Sequence, residues 1–152
     1  MRVILTAVLV ALASPAIAAP ATLVGTSRRA AATVDAFHAA LNHGDTRGAA
    51  RLLSERAMIF EEGHVERSKA EYAAHHLPAD AAFSQTVRST VTRRSGGGSG
   101  ASAWVATEGR TSGTYKGKLV DRITTETMLL ERARGGWKIV HIHWSSRAAK
   151  AD

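Results

Sequence analysis

The sequence has 152 residues, a formal net charge of +7 and no cysteine. This length suits one domain, and the lack of cysteine excludes disulfides, acylation at cysteine and cysteine nucleophiles, so a hydrophobic core must stabilise the fold. The basic residues are scattered along the chain instead of gathered on one element with interleaved aromatics, which argues against a nucleic-acid surface. The charge favours solubility or attraction to an anionic ligand.

The first 18 residues have the pattern of a secretory signal peptide. Arg2 provides the positive start, residues 3–13 form an apolar run too short to span a bilayer, and small residues precede a cleavage point after Ala18. We therefore predict a periplasmic or secreted protein of 134 residues (152 minus 18) that begins at Ala19. Loss of Arg2 lowers its net charge to +6, and no stable membrane anchoring is expected after cleavage.

Helical patterns dominate the next part of the chain. After a flexible lead-in over residues 19–27, a first helix is predicted from about Arg28 to Asn42. Gly44 suits a left-handed helix end, and Asp45 is a good N-cap for a second helix over residues 46–53. The apolar stripe of the first helix consists of Val34, Phe37 and Leu41.

A hairpin and a third helix follow. Residues 57–62 predict a strand, which turns back into a short partner at residues 64–66. Ser68 then caps a helix that continues to about His76, and Pro78 is expected to end it.

The remainder predicts four long strands in consecutive hairpins, at residues 83–94, 101–110, 120–134 and 136–146. The glycine-rich residues 95–100 are interpreted as a flexible hairpin loop, residues 111–118 as a turn-rich excursion, and residues 147–152 as a frayed basic tail. Helices followed by an antiparallel meander indicate an α+β fold, in which three N-terminal helices pack on a curved, mostly antiparallel sheet of four to six strands. The domain is expected to span residues 28–146.

The last strand carries the most informative pattern. Its two faces are both apolar, which is typical of a central strand covered on two sides. With a period of two, one face holds Trp137, Ile139, His141 and His143, and the other holds Val140, Ile142 and Trp144. Two imidazoles on an apolar face suggest the wall of a pocket.

Three segments together resemble the nuclear transport factor 2-like superfamily, and more narrowly its SnoaL-like, small exported branch. They are residues 43–45 (His-Gly-Asp), residues 61–63 (Glu-Glu-Gly) and the closing Gly-Trp-Lys-Ile-Val-His-Ile-His-Trp-Ser from residue 136. The resemblance implies a cone-shaped barrel with a pocket at its wide end, and a possible homodimer formed through the sheet face. Members include isomerases, cyclases, dehydratases and hydrolases as well as binding domains, so the fold alone specifies no reaction.

The resemblance also implies an acidic proton-transfer base near the first hairpin. Glu61 and Glu62 are the candidates, and alternation leaves open which of them points inward. Their partners would be His141 and His143, whose Cα atoms lie ~6.6 Å apart on a strand. These four residues are the catalytic candidates. The alternative is that a histidine merely donates to a buried Glu126 and rigidifies the core.

The other candidates for ligand contact are Glu126, Phe37, Trp137, Tyr115 and His76. Isomerase members use a tyrosine on the first helix, where this chain has only Phe37 as an aromatic. The sequence contains no contiguous metal motif and no cofactor motif, so neither a bound metal ion nor a cofactor is expected. A metal site built from His75, His76, His141 and His143 is the alternative.

The main hypothesis for function is an exported domain that binds a small anionic or carbonyl-bearing molecule in a pocket lined by histidine and glutamate. The first alternative is a cofactor-independent isomerase, dehydratase or lyase that uses an inward glutamate and a histidine. The second alternative is a histidine-based metal-binding protein. In each case the expected partner is a small molecule, and no nucleic acid is expected.

Overall fold

The computed structural model describes residues 22–150, which form one curved sheet and four helices packed against it. The expected signal peptide, residues 1–18, lies outside the described residues, as do residues 19–21 and 151–152. The helices are α1 (Thr26–Asn42), α2 (Thr46–Leu52), α3 (Lys69–Ala74) and α4 (Leu77–Ser84). The strands are β1 (Thr22–Leu23), β2 (Leu53–Glu61), β3 (His64–Glu66), β4 (Val87–Ser99), β5 (Ser102–Tyr115), β6 (Lys118–Ala133) and β7 (Gly136–Ala148).

The sheet has the strand order β1-β4-β5-β6-β7-β2-β3. Strands β4 to β7 form the predicted antiparallel meander, whereas β2 joins β7 and β1 joins β4 in parallel. The predicted α+β class with a curved, mostly antiparallel sheet is therefore confirmed. The described chain contains seven strands and four helices instead of four to six strands and three helices.

Helix α1 is the centre of the core. Its predicted stripe of Val34, Phe37 and Leu41 is buried against the inner face of the sheet, as amphipathic spacing requires. The helix begins at Thr26, two residues before the predicted start, and β1 pairs with Ser95 and Gly96 of β4. Residues 22–27, which were expected to belong to a flexible lead-in, are thus part of the fold.

Side-chain caps fix the ends of two shorter helices. The Oδ1 atom of Asp45 accepts a hydrogen bond from the Gly48 amide at 2.7 Å, and Ser68 Oγ accepts one from the Glu71 amide at 3.1 Å. Glu71 in turn accepts from the Arg67 amide at 2.7 Å. The predicted caps at Asp45 and Ser68 are confirmed, because these side chains satisfy amides that the first turn leaves unpaired.

The prediction for residues 77–86 is wrong. Pro78 does not end a helix but lies in the first turn of α4, where its missing N–H group costs no hydrogen bond. Phe83, which was expected to begin a strand, lies on this helix, and β4 begins at Val87. Helix α4 matters for function because it forms one side of the cavity described below.

The glycine-rich segment is also not a loop. Residues 95–99 continue β4 and pair one by one with β5, and the turn lies at Gly100 and Ala101. A Cβ atom on Gly96 would lie 2.7 Å from the Trp104 carbonyl oxygen and 3.0 Å from Ser27 Cβ, so glycine lets the start of α1 approach the sheet. Similarly, residues 111–115 belong to β5 and are not a turn-rich excursion.

None of the helices within residues 22–150 is both long and apolar enough to cross a bilayer.

Candidate functional site

A cavity of about 700 Å³ lies between α1, α4 and the inner faces of β4 to β7. The end of β2 contributes Glu61 and Glu62 to it, and α4 contributes Asp80. The wall is mixed, with apolar and aromatic side chains beside several ionisable ones. This size and character are typical of a small-molecule site.

The structure distinguishes the two glutamates that alternation left open. Glu61 pairs with Trp144 in the parallel β2–β7 register, and it shares the inner face of β2 with the buried Ile59. Glu62 lies in the following turn with a φ of 46°, where its Oε1 atom is 3.3 Å from both Arg122 Nη2 and Ser146 Oγ. Glu61 is therefore the inward carboxyl group, and Glu62 is held at the rim by its partners.

The environment of Glu61 makes it a group that exchanges protons near neutral pH. Burial raises the pKa of Glu61 to about 7, with further contributions from the negative charges of Asp80 and Glu62 and an opposing one from His76. Burial also raises the pKa of Asp80, although the Tyr72 hydroxyl donates a hydrogen bond of 2.7 Å to its carboxylate. Two carboxyl groups that resist ionisation therefore share one end of the cavity.

A buried hydrogen-bonded carboxylate lies two strands away from Glu61 on the same inner face, because Glu126 and Glu61 both pair with Trp144 of β7. Glu126, whose exposed fraction is only 8%, points inward from β6. Its Oε2 atom lies 2.7 Å from His38 Nε2 and accepts a 2.8 Å hydrogen bond from Trp144 Nε1. The carboxylate was expected to meet the histidines of the last strand, but its partner is a histidine of α1.

The pKa values of this pair shift in opposite directions. Burial opposes the charge on Glu126, yet the hydrogen bond and positive charge of His38, together with Trp144, hold the pKa of Glu126 below its usual value. Burial likewise opposes the charge on His38, but the hydrogen bond to Glu126 and its negative charge raise the pKa of His38. The pair therefore favours an imidazolium next to a carboxylate.

A second cation lies along the same wall. Arg94 on β4 forms an ion pair with Asp35 on α1, with 2.5 Å between Nη1 and Oδ1, and its Nε atom donates to Thr107 Oγ1 at 3.3 Å. All three side chains line the cavity. Arg94 and His38 thus each bring a positive group to the cavity wall, and each is paired with a carboxylate there.

The prediction that His141 and His143 face the pocket is wrong. They pair with Met58 and Phe60 of β2 and lie on the outer face of the sheet, where both rings meet the Phe60 ring edge-on. A register shift between β6 and β7 leaves Val140 as an extra residue, so that Ile139 and Ile142 both point inward. Trp144, expected on the opposite face from a pocket, lines the cavity instead.

Of the five predicted ligand contacts, Glu126 and Tyr115 line the cavity. Phe37 is fully buried under it and stacks on Trp144 with ring centroids 6.3 Å apart. Trp137 packs partly buried against the core, and His76 binds Glu66 away from the cavity wall. The last three were wrongly expected in the pocket.

Five residues of the site were missed: Asp35, His38, Asp80, Arg94 and Trp144. His38 directly follows Phe37 and lies four residues after Val34, so its place on the edge of the apolar stripe was readable from the sequence. Asp80 was hidden because α4 was not predicted.

The alternative metal site also fails as proposed, because its four histidines do not converge. His141 and His143 lie on the outer face of β7, whereas His75 and His76 contact Glu66. Glu66 pairs with the inward-pointing Ile59, on the opposite side of the sheet from Phe60. The two pairs of histidines are thus separated by the sheet itself.

The curled sheet, the helices packed against it and the cavity between them define a nuclear transport factor 2-like fold. Residues 30–149 match the SnoaL-like domain family, to which this chain therefore belongs. No curated protein matches the chain significantly.

Solved structures show the same fold. A protein of Shewanella frigidimarina NCIMB 400, provisionally classed as a ketosteroid isomerase, is 38% identical, with 82% of this chain and 100% of that chain covered and a TM-score of 0.75. A protein of Streptomyces avermitilis, provisionally classed as a dehydratase of the nuclear transport factor 2-like family, is 18% identical, with coverage of 81% and 97% and a TM-score of 0.69. The latter resemblance concerns the fold alone.

Proposed function

We propose that the protein binds a small carbonyl compound in the cavity and catalyses proton transfer on it, as a cofactor-independent isomerase or dehydratase. The observation that carries this proposal is Glu61, a carboxyl group inside the cavity whose pKa is raised to about 7. A general base is most effective when its pKa is near the working pH. The 38% identical relative classed as a ketosteroid isomerase is consistent with this chemistry.

In the proposed reaction, Glu61 removes a proton from the carbon next to the carbonyl group, and the substrate becomes an enolate. His38, kept cationic by Glu126, stabilises the negative charge that develops on the oxygen. Protonated Glu61 then returns the proton at another carbon, which completes an isomerisation. In a dehydration, a β-hydroxyl group leaves as water after it receives that proton.

The test is exchange of the proton at the α-carbon of a panel of enolisable ketones in D₂O, followed by NMR. We expect exchange with the wild type and a loss of at least about 100-fold in Glu61→Gln, because a positioned base contributes about 10²–10⁴-fold. Glu62→Gln is the matched control, since it removes a carboxylate from the adjacent rim position and should retain most of the activity.

The same experiment separates catalysis from simple binding. Equal exchange by wild type and Glu61→Gln would refute the role of Glu61. A ligand that raises the melting temperature of both proteins, without exchange in either, would support the alternative of a binding domain without turnover.

We further propose that the protein is exported and that the mature chain begins at Ala19, on the basis of the signal-like pattern of residues 1–18. N-terminal sequencing of the protein from the periplasm or medium should begin at Ala19. Ala18→Arg should block cleavage, because the position requires a small residue. An uncleaved wild-type protein in the cytosol would contradict this proposal.

We also propose that two copies associate through the outer face of the sheet. Trp104, Leu129, His141 and Met58 are neighbours across four adjacent strands and form a row on this face. Trp104, Leu129 and Met58 remain 41%, 42% and 40% exposed. An apolar row of this kind, on a protein that must stay soluble, is typical of an interface.

A further inference from the structure

Glu66, Glu71 and His75 form a cluster outside the cavity, where β3 meets α3. One oxygen of each carboxylate and one ring nitrogen of the histidine all lie within 4.8 Å of one another. None of the three lines the cavity, and none has a part in the proposed proton transfer. The cluster combines two carboxylates with an imidazole, the donor set that divalent transition ions prefer.

Glu66 is the unusual member of this cluster. It is 4% exposed, and its Oε2 atom is buried without a hydrogen-bond partner in the described part of the chain. Buried carboxylate oxygens in native proteins are nearly always paired, because removal from water is costly. This oxygen lies 3.4 Å from His75 Nδ1, without the geometry of a hydrogen bond.

The 3.4 Å separation is the one that a tetrahedral zinc ion imposes on two of its ligands. Bonds of ~2.0–2.1 Å at the tetrahedral angle place neighbouring donor atoms ~3.3–3.4 Å apart. His75 is largely exposed, with 62% of its side chain accessible, so an ion can enter from solvent on its side.

Both carboxylates are already oriented by second hydrogen bonds. The Oε1 atom of Glu66 binds His76 Nδ1, and the Oε2 atom of Glu71 accepts from the Arg67 amide at 2.7 Å. In each case the other oxygen is left for a ligand. Such outer contacts are typical of metal sites, where they fix the direction of the ligating atoms.

We propose that Glu66, Glu71 and His75 bind one divalent transition ion of the zinc class. The glutamates supply two negative charges that balance the ion, and the histidine completes a three-residue site. The proposal is independent of the chemistry in the cavity, because no residue is shared between the two sites.

The experiment is calorimetric titration of the tag-free protein with Zn²⁺. We expect one ion per chain, and a loss of affinity of at least about tenfold in His75→Ala, because removal of even an outer-shell partner typically costs 10–100-fold. His75 is exposed, so this variant should fold normally. His143→Ala is the matched control, since it removes an exposed histidine on the outer face of the sheet and should bind as the wild type does.

A second readout tests the buried ligand. Co²⁺ bound to the wild type should give the visible absorption of a tetrahedral site, and Glu66→Gln should lose it while its far-UV circular dichroism remains unchanged. If Glu66→Gln does not fold, the Zn²⁺ affinity of His75→Ala alone tests the proposal. The proposal is overturned if Zn²⁺ does not bind stoichiometrically, if His75→Ala binds equally well, or if His143→Ala weakens binding to the same extent.

Discussion

Glu61 connects the stability of the protein to pH with a definite sign. Its pKa is about 7 in the folded chain against 4.5 ordinarily, so between these values the folded state holds a proton that the unfolded state has released. The free energy of unfolding therefore falls as pH rises through this window. The loss of unfolding free energy caused by ionised Glu61 is complete above about pH 7 and absent below pH 4.5.

Glu61→Gln should remove this dependence, because glutamine does not titrate. Relative to the wild type, the variant should gain about 1–2 kcal/mol in unfolding free energy between pH 4.5 and pH 8, since solvent screens part of the full shift. Urea unfolding at both pH values measures the gain. Glu62→Gln controls for the loss of one negative charge, and a Glu61→Gln difference that does not change with pH would contradict the prediction.

The same proton governs the proposed activity. If Glu61 acts as the base and cationic His38 stabilises the enolate, kcat/KM should rise with pH through an apparent pKa of about 7 and fall again as His38 loses its proton. A stopped assay with any ketone that shows exchange, measured from pH 5 to 9, provides the profile. An activity that stays constant across this range would exclude Glu61 as the group that accepts the proton.

The interaction between His38 and Glu126 stabilises the fold most strongly within a limited pH range. The pKa of His38 is raised above 6.5, so its contribution is complete below pH 6.5 and is lost as pH rises through the folded value. The pKa of Glu126 is lowered below 4.5, so its contribution is complete above pH 4.5 and is lost as pH falls. The pair therefore stabilises most between pH 4.5 and 6.5.

His38→Gln should lower the unfolding free energy by about 1–3 kcal/mol at pH 5.5, because it leaves a buried carboxylate without its cation, at a partly solvated site. The loss should be smaller at pH 8.5. Urea unfolding of single and double variants with Glu126→Gln measures the coupling, and His143→Gln on the outer face serves as the control. Additive losses in the double variant would show that the two side chains do not interact.

At the scale of helices and strands, the sequence best predicts the features that depend on residues close to one another in the chain. The period of α1 and the caps Asp45 and Ser68 are local, and their predictions are confirmed. Helix α4 was missed because Pro78 was interpreted as an end, although it fits a first turn equally well. Only the packing of the surrounding elements distinguishes a proline that ends one helix from a proline in the first turn of the next.

The faces of β7 show a further limit of sequence patterns. Alternation correctly separates His141 and His143 from Ile142 and Trp144, but it does not state which set faces the hollow of a curved sheet. The extra residue Val140 also reverses the alternation within the strand. The position of Glu61 near the site was predictable from the resemblance, whereas the choice between it and Glu62 required the register of β2 against β7.

The glycine-rich end of β4 was interpreted as a loop because only tertiary packing explains why glycine is needed there. Gly96→Ala should destabilise the protein by about 1–3 kcal/mol, since its Cβ atom would press on the Trp104 carbonyl and on Ser27 in a packed region. Elsewhere in a strand the same change gains about 0.5–1 kcal/mol. Urea unfolding measures the effect, with the exposed Ser99→Ala as control. A neutral or stabilising result would show that β1 and α1 do not pack tightly on this strand.

The whole molecule places its chemistry and its apolar surface on opposite sides of one sheet. The inner face holds the cavity, whereas the outer face presents the row of Trp104, Leu129, His141 and Met58. Association through the outer face would therefore bury apolar side chains without closing the cavity. The net charge of +7 opposes close approach of two copies, so the association should strengthen as salt is added.

This arrangement predicts a homodimer that a single outer-face charge disrupts. Light scattering after gel filtration should give twice the 16.1 kDa mass of the full chain, less the signal peptide on each copy if it is removed. Leu129→Glu should give the monomer, because a carboxylate buried in an apolar interface costs several kcal/mol. Leu119→Glu, at a position that is 84% exposed near the β5–β6 turn, should remain dimeric. A monomeric wild type at micromolar concentration would disprove the interface, whereas a dimer unaffected by Leu129→Glu would place it on another surface.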